Sequence, residues 1–326
     1  MNLHENKELF QDAVVATSQQ LGIKEIYIEK DYWVTYALFH IFKNEIGKQT
    51  VFKGGTALSK CFGIIQRFSE DIDLVVLRNE IETGNQLKTK IKKISKCVSD
   101  VIPEINIDGV TNKVGMIRKT AHNYPRVFTG HFGQVRDMII VESTWLGNFE
   151  PFKTENVSSF IYEMMLKNGQ QSLIDAYAMN PFEVLALNPK RTLCEKIMSL
   201  VRFSYTQDSI TDLRNKIRHT YDIHLMLKDE NLKSFFQSGD FETMLLRVAN
   251  DDVTSFKNNN DWLANHPKKA IIFSDTEDIW NKIKDVYTGS FSELVFTGEP
   301  PQGTEILKTL FTLADRLEPI KWNIKP

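Results

Sequence analysis

Apolar residues recur every three to four positions over much of the first hundred residues, which predicts helices at 6–20, about 28–46 and 85–99. The last of these is clearly amphipathic, because its apolar residues share one face while its lysines occupy the others. Short apolar runs that end in glycine or polar turns predict strands at 50–53 and 71–77. This part of the chain therefore mixes helices with strands.

From about residue 104 the pattern changes to extended segments interrupted by glycine and asparagine. These segments are Glu104–Val110, Arg126–Phe132 and Val135–Thr144, and they are expected to complete a mixed sheet. Beyond residue 150 helical periodicity dominates, with one short extended run at Glu183–Leu187. The strongest helical patterns lie at 190–205, 208–228, 241–250, 276–287 and 303–317.

We therefore predict an α+β protein with two domains. Residues 1–150 are expected to form a mixed sheet flanked by helices, including the N-terminal helices within 6–46. Residues 151–326 are expected to form a mostly helical domain. The boundary is placed near 150–180, although no linker rich in serine and glycine marks it.

Composition narrows the classes of protein that fit. The 326 residues carry 40 basic and 42 acidic side chains, and the net charge of −2 excludes a protein that binds nucleic acid over its whole surface. The three cysteines, Cys61, Cys97 and Cys194, are too few and too far apart for a disulfide framework or a thiolate metal site. The first residues lack the features of a signal peptide, and no apolar run is long enough to span a membrane, so we expect a cytoplasmic protein.

The most informative stretch runs from residue 51 to residue 75 and contains an Asp-Ile-Asp sequence. Side chains alternate between the two faces of a strand, so Asp71 and Asp73 are expected to project from the same side. Two adjacent carboxylates repel each other unless a cation lies between them, and oxygen ligands suit Mg²⁺ or Mn²⁺. The pair is therefore predicted to bind a divalent metal ion.

A pair of glycines precedes these carboxylates. Gly54 and Gly55 have no Cβ, so the backbone can bend sharply and approach a ligand closely. Thr56 then begins a predicted helix running to about residue 65, whose first N–H groups would suit phosphate oxygens. Arg67 and Ser69 add further donors for a metal-bound triphosphate. A double glycine alone is usually a turn and an Asp-x-Asp alone a solvated strand end, but their ordered combination favours a metal and phosphate site.

This combination resembles the DNA polymerase β-like nucleotidyltransferase superfamily. Its long form, Gly-Gly-Thr-x-Leu followed by Arg-x-Ser-x-Asp-x-Asp, is similar to the AbiEii/AbiGii abortive-infection toxins, a group that includes the MenT toxins. Weaker similarities occur at Ile28–Tyr32, at Thr192–Lys196 and at Arg218–Ile223. The resemblance covers about residues 25–230 and is strongest at 53–75.

The resemblance implies an enzyme that transfers a nucleoside monophosphate from an NTP to an acceptor and releases pyrophosphate. Its leading acceptor is the end of tRNA, whose modification would block translation in a toxin–antitoxin or phage-defence system. The resemblance also implies a helical lobe that closes over the nucleotide and an antitoxin encoded nearby, and we expect a monomer. Two alternatives stay open: a nucleotidyltransferase that modifies a protein or small molecule, and a non-catalytic nucleotide-binding protein.

The resemblance also suggests three further site residues. Lys196 would contact the triphosphate, although an ordinary lysine at the rim of a helix would fit the pattern too. Asp222 would be needed for activity, or would simply pair with Arg218 one helical turn earlier. Glu142, inside a predicted strand, is the candidate for a third metal ligand, or else faces solvent.

Two basic segments are candidates for contact with an RNA backbone. One is the lysine face of helix 85–99, including Lys90, Lys92 and Lys93, and the other runs from Arg118 to Arg126. Charge runs of this kind are more often solvated surfaces. The seven histidines suggest no set of metal ligands.

Overall fold

A computed structural model describes residues 1–69, 71–132, 135–296 and 298–326. Contacts between residues divide the chain into two compact units, Met1–Leu187 and Asn188–Pro326. None of the helices in these described ranges combines the length and apolarity needed to cross a membrane.

The described residues of the first unit form a seven-stranded mixed sheet in the order β3-β4-β5-β2-β1-β7-β6. Strand β1 is antiparallel to β2 and parallel to β7, and β2 is parallel to β5. The remaining pairs, β3 with β4, β4 with β5 and β6 with β7, are antiparallel. The strands are β1 (Thr50–Lys53), β2 (Ile72–Val76), β3 (Glu104–Ile105), β4 (Ile117–His122), β5 (Ile139–Thr144), β6 (Phe152–Val157) and β7 (Phe182–Leu187).

Helices accompany this sheet, and their ends carry local signals. Asn6 caps the first helix by accepting the Leu9 N–H, and Gly22 ends it in the left-handed conformation. Thr83 and Gln86 form a capping box at the start of the lysine-rich helix. The helices of this unit are α1 (Lys7–Leu21), α2 (Glu25–Phe42), α3 (Gly54–Lys60), α4 (Gly84–Ser99), α5 (Phe160–Lys167) and α6 (Gln171–Ala176), with short 3₁₀ helices at Leu3–Glu5 and Glu45–Gln49.

The core of the first unit is formed by the central strands and α2. Phe52 of β1 and Ile72 of β2 are completely buried, as is Ile139 of β5. Helix α2 is buried on nearly all sides rather than along one stripe, from Ile26 to Leu38. It therefore packs as a central helix, and any charged residue within it needs partners in the protein.

The described part of the second unit is helical, with many short elements. Its α-helices are α7 (Pro189–Phe203), α8 (Ser209–Asn215), α9 (Ile217–Met226), α10 (Glu230–Gln237), α11 (Gly239–Ser255), α12 (Ile271–Ser274), α13 (Thr276–Val286) and α14 (Gly303–Leu317). Short 3₁₀ helices lie at Asp261–Ala264, Pro267–Lys269 and Ser292–Leu294, and a π-helical turn lies at Tyr287–Phe291. The predicted fold class, a mixed sheet followed by a mostly helical region, is confirmed.

Several element boundaries differ from the prediction. The helix after the glycine pair ends at Lys60 rather than near residue 65, and Glu104–Val110 pairs as a strand only at Glu104–Ile105. Arg126–Phe132 is not a strand, because side chains rather than a neighbouring strand bind its backbone, as described below. Strands β4 and β6 were not predicted; both are rich in polar residues, which hides the alternation expected of a half-buried strand.

The division between the units falls after Leu187, later than the region 150–180 in which the sequence placed the boundary. Strand β6 pairs with β7, and β7 pairs with β1 at the centre of the sheet. Residues 152–187 are therefore part of the first unit, which contains the whole sheet.

Candidate active site

The glycine pair forms the first two residues of α3, directly after β1. The backbone of Gly54 has a φ of +79°, a conformation that residues with a side chain rarely adopt. A methyl group at this position would overlap Oδ2 of Asp73 and lie 3.1 Å from its Cγ. The absence of a side chain at Gly54 thus allows the Asp73 carboxylate to lie against the turn.

Gly55 likewise leaves room for two other predicted site residues. A methyl group here would lie 2.8 Å from Nη2 of Arg67 and 2.9 Å from Oγ of Ser69. The sequence predicted that the glycine pair allows close approach of a ligand. In the structure these bare positions are bordered by Asp73, Arg67 and Ser69, so the glycines gather a carboxylate and two donors at one place.

Thr56 fixes α3 to the segment that leads into β2. Its Oγ1 donates to the main-chain oxygen of Asp71 at 2.6 Å and lies 3.0 Å from Oγ of Ser69. The side chain is buried. These contacts make Thr56 a support for both neighbours, and its predicted contact with nucleotide stays a prediction.

Strand register places four charged residues in one row across the sheet. Lys53 of β1 is opposite Asp73 of β2, Asp73 is opposite Glu142 of β5, and Glu142 is opposite Lys119 of β4. Directly paired residues project from the same face of a sheet. The row therefore reads positive, negative, negative, positive, with the two carboxylates at its centre.

The two central carboxylates affect each other. Burial, followed by the charges of Glu142 and Asp71, raises the pKa of Asp73 to about 7, while Lys53 and Lys119 act in the opposite direction. Nζ of Lys119 lies 3.1 Å from Oε2 of Glu142. A cation near Asp73 would relieve this repulsion, which is what a metal site offers.

Asp71 has a carboxylate oxygen without a hydrogen bond. Among the described residues, Oδ1 of Asp71 is buried and has no hydrogen-bonding partner. Nη1 of Arg136 lies 3.9 Å away, within reach of an ion pair only. A buried carboxylate oxygen in this state is costly, and a bound cation would satisfy it.

The donor set fits Mg²⁺ of the kind that also binds a substrate phosphate. No group of three or more histidine, cysteine, aspartate or glutamate side chains is placed to hold a metal ion within the ranges that the structure describes. Mg²⁺ is commonly held by one or two carboxylates, with phosphate and water oxygens completing six ligands. Asp71 and Asp73 meet that requirement, and a role for Glu142 as a third ligand stays a prediction.

Lys196 and Asp222 meet within the second unit. Nζ of Lys196, on α7, lies 2.7 Å from Oδ2 of Asp222, on α9, and both side chains are buried. The sequence suggested Arg218 as a structural partner of Asp222, and the structure shows an ion pair with Lys196 from a different helix. A buried ion pair of this kind is consistent with a structural role as well as with the predicted role in activity.

Sequence reasoning missed three basic residues next to the carboxylates: Lys53, Lys119 and Arg136. Lys53 immediately precedes the glycine pair, so its position along the chain was a usable signal. Lys119 was grouped with the basic segment 118–126, but it lies in β4 and is paired with Glu142. Only the pairing of β4 with β5 places it here.

Known proteins share features with this chain. The model of the family described as the nucleotidyl transferase AbiEii toxin of a type IV toxin–antitoxin system matches residues 36–308. No curated protein matches the chain. A solved structure that matches is MenT4, a nucleotidyltransferase toxin from Mycobacterium tuberculosis H37Rv, with 14% identity, a TM-score of 0.38, and coverage of 84% of this chain and 98% of that one. A likeness this distant says nothing about the chemistry of individual residues.

Proposed function

Because the chain belongs to the AbiEii family of nucleotidyltransferase toxins, we propose that it transfers a nucleoside monophosphate from an NTP to the acceptor end of tRNA and so blocks translation. Membership of the family makes the chain a nucleotidyltransferase that uses an NTP, in a toxin–antitoxin system with a cognate antitoxin. The tRNA acceptor, the metal ion and the role of each residue are the content of the proposal.

The observation that carries the proposal is the contact between the glycine turn and the carboxylates. Gly54 lies against Asp73, and Thr56 of the same helix binds the main chain of Asp71. Arg67 and Ser69 reach the same turn at Gly55. Carboxylates for a metal ion and donors for phosphate therefore border one short stretch of backbone, as transfer of a nucleotide requires.

Mg²⁺ or Mn²⁺ held by Asp71 and Asp73 would supply positive charge for the phosphates and lower the pKa of the attacking hydroxyl. The protein's own groups orient the substrate. The Arg67 guanidinium and the Ser69 hydroxyl would donate to phosphate oxygens. Both already lie beside the turn at Gly55, so the donors are positioned before the substrate binds. Lys196 is proposed to contact the triphosphate, and Asp222 is proposed to be needed for activity, as the family resemblance implies.

The surface proposed for tRNA is the exposed part of α4. Lys88, Lys92 and Lys93 are exposed there. Lys90, which the sequence placed on this surface, instead pairs with Glu82 at 2.5 Å and donates to the main-chain oxygen of Leu77. The proposed contact with the RNA backbone is therefore shifted to Lys88, Lys92 and Lys93.

The other basic segment loses support as an RNA surface. Arg118 donates to Oγ of Ser95, and Lys119 is paired with Glu142 within the sheet. Arg126 is exposed but forms an ion pair with Asp137 at 2.5 Å. Residues 118–122 form β4, so their backbone is already bound by β5.

Labelling identifies the acceptor. The purified chain is incubated with each α-labelled NTP, Mg²⁺, total tRNA and a cell extract, and the label is expected on tRNA. Asp73→Asn should give no label, whereas Asp108→Asn, at an exposed aspartate outside the site, should label as the wild type does. Label on a protein or a small molecule would replace tRNA as the acceptor, and no label on any acceptor would refute the proposed transfer.

A further inference from the structure

Three consecutive charged residues of α2 are buried: Glu29, Lys30 and Asp31. They belong to the segment 28–32 that the family resemblance picked out and that the proposed chemistry does not use. Burial of a charged side chain is costly unless partners in the protein bind it. The partners of these three residues therefore show what the segment does.

Glu29 binds backbone that has no strand partner. Its Oε1 accepts the N–H of Val127 at 2.7 Å, and its Oε2 accepts the N–H of Phe128 at 3.0 Å. These N–H groups lie in the segment that the sequence predicted as a strand. The carboxylate thus takes the place of a neighbouring strand, and hydrogen bonds to a charged group are strong ones.

Two other residues of the same helix hold the segment further along. The Tyr27 hydroxyl donates to the main-chain oxygen of Phe132 at 3.1 Å, and the Lys30 ammonium donates to the main-chain oxygen of Arg136. We call residues 126–132 and 135–137 the arm. Little more than one turn of α2 therefore fixes the arm at three points along its length.

The last of these points lies next to the candidate active site. Arg136, whose main-chain oxygen Lys30 holds, places Nη1 at 3.9 Å from Oδ1 of Asp71. Asp31 has other partners: it pairs with Lys60 at 2.6 Å and accepts the N–H of Phe160 at 2.9 Å. Glu29 and Lys30 thus serve the arm, and Asp31 serves other parts of the unit.

We propose that Glu29 and Lys30 are positioning residues, which hold the arm so that the Arg136 guanidinium stays beside Asp71 and contacts the phosphates of the incoming NTP. This inference rests on the proposed function of Asp71. Arg136 supplies a bidentate donor next to Asp71, in addition to the donors that Arg67 and Ser69 bring to the glycine turn.

The first test measures whether Glu29 holds the arm. Trypsin cleaves after Arg126, which is exposed at the start of the arm. Glu29→Gln should accelerate this cleavage about 10-fold, because an amide can accept only one of the two N–H groups. Asp31→Asn is the matched control, since it changes a buried carboxylate of the same helix that does not bind the arm. Equal acceleration in both variants would overturn the inference.

The second test measures whether Glu29 acts through Arg136. Glu29→Gln and Arg136→Ala should each lower kcat/KM for the NTP about 10-fold, and the double variant should be no worse than either alone. Multiplicative effects of the two substitutions would overturn the inference. If Glu29→Gln does not fold, Tyr27→Phe, which removes only one hydroxyl contact with the arm, takes its place in both tests.

Failure of the proposed function would look different. In that case the wild-type chain transfers no nucleotide to any acceptor. The rate of trypsin cleavage still shows whether Glu29 binds the arm. Normal transfer by the wild type and by Arg136→Ala would instead leave the proposed function standing and refute the role of Arg136.

Discussion

Asp73 of β2 and Glu142 of β5 are directly paired residues of neighbouring parallel strands, so two carboxylates face each other in the middle of the sheet. Like charges in such a pair destabilise a sheet. The row that contains them ends in a lysine on each side, which limits the repulsion without removing it. The arrangement costs stability, as expected if the proposed metal site needs negative charge here.

Asp73→Asn should therefore stabilise the protein while abolishing transfer. Removal of one charge from the pair should raise the free energy of unfolding by roughly 0.5 kcal/mol in the absence of divalent ions. Chemical denaturation in the presence of a chelator measures this change, with Asp108→Asn as the control at an exposed carboxylate. A less stable Asp73→Asn variant would contradict the explanation.

Gly54→Ala should displace the Asp73 carboxylate and stop transfer. Gly63→Ala separates this effect from backbone strain, because Gly63 also has a positive φ, +62°, but no atom lies within 4 Å of a methyl group placed there. Each substitution should cost about 1 to 2 kcal/mol from the left-handed backbone. Denaturation and transfer assays together should show that only Gly54→Ala loses activity; equal activity in both would argue against a role for the approach of Asp73 to the turn.

Lys196→Met should remove the ammonium group that pairs with the buried Asp222 carboxylate. The expected loss is about 3 kcal/mol of unfolding free energy. Addition of Asp222→Asn should recover a large part of it, because the buried charge is then gone. Thermal unfolding measures the stability of each variant. The labelling assay on the double variant separates a structural from a catalytic role of the pair. Persistent inactivity supports a role in chemistry, and restored transfer supports a purely structural pair.

His122 should make stability depend on pH. It is buried, its Nδ1 lies 3.2 Å from the oxygen of Ile102, and its Nε2 lies 2.9 Å from Oγ1 of Thr120. Burial lowers the pKa of His122 below its ordinary value of 6.5. The unfolded chain then binds a proton that the folded chain does not, so His122 lowers stability as the pH falls below about 6.5.

The variant that isolates this effect is His122→Gln, which keeps one donor and one acceptor. Between pH 7 and pH 5, the wild type should lose up to about 1.4 kcal/mol more per pH unit than the variant. Denaturant titrations at several pH values provide the numbers. Parallel curves for the two proteins would show that His122 does not titrate on unfolding.

Neutralisation of Lys88, Lys92 and Lys93 should weaken tRNA binding and make it less sensitive to salt. For every phosphate that the variant no longer neutralises, the slope of log affinity against log salt should fall by about 0.7 to 0.9. Lys48→Gln, at an exposed lysine paired with Glu45, is the control. The measurement is tRNA affinity at several salt concentrations. An unchanged slope in the triple variant would show that these lysines of α4 do not contact tRNA.

The local parts of the fold and site follow from the sequence. Asp71, Asp73 and the glycine pair could be grouped as a candidate site because turn chemistry and strand alternation act over a few residues. The row that links Asp73 to Glu142 and Lys119 depends on which strands pair and in which register, and no local pattern encodes that. The arm was mistaken for a strand because its backbone is held by Glu29, a residue almost a hundred positions away.

The position of β7 has a consequence for synthesis of the toxin. Strand β1 leads directly into Gly54, yet one of its two neighbours, β7, ends only at Leu187. A ribosome that has not passed this residue carries a nascent chain in which β1 still has an open edge. The centre of the sheet therefore cannot be completed, and the strand that leads into the glycine turn cannot gain its second neighbour, before residue 187 has been translated.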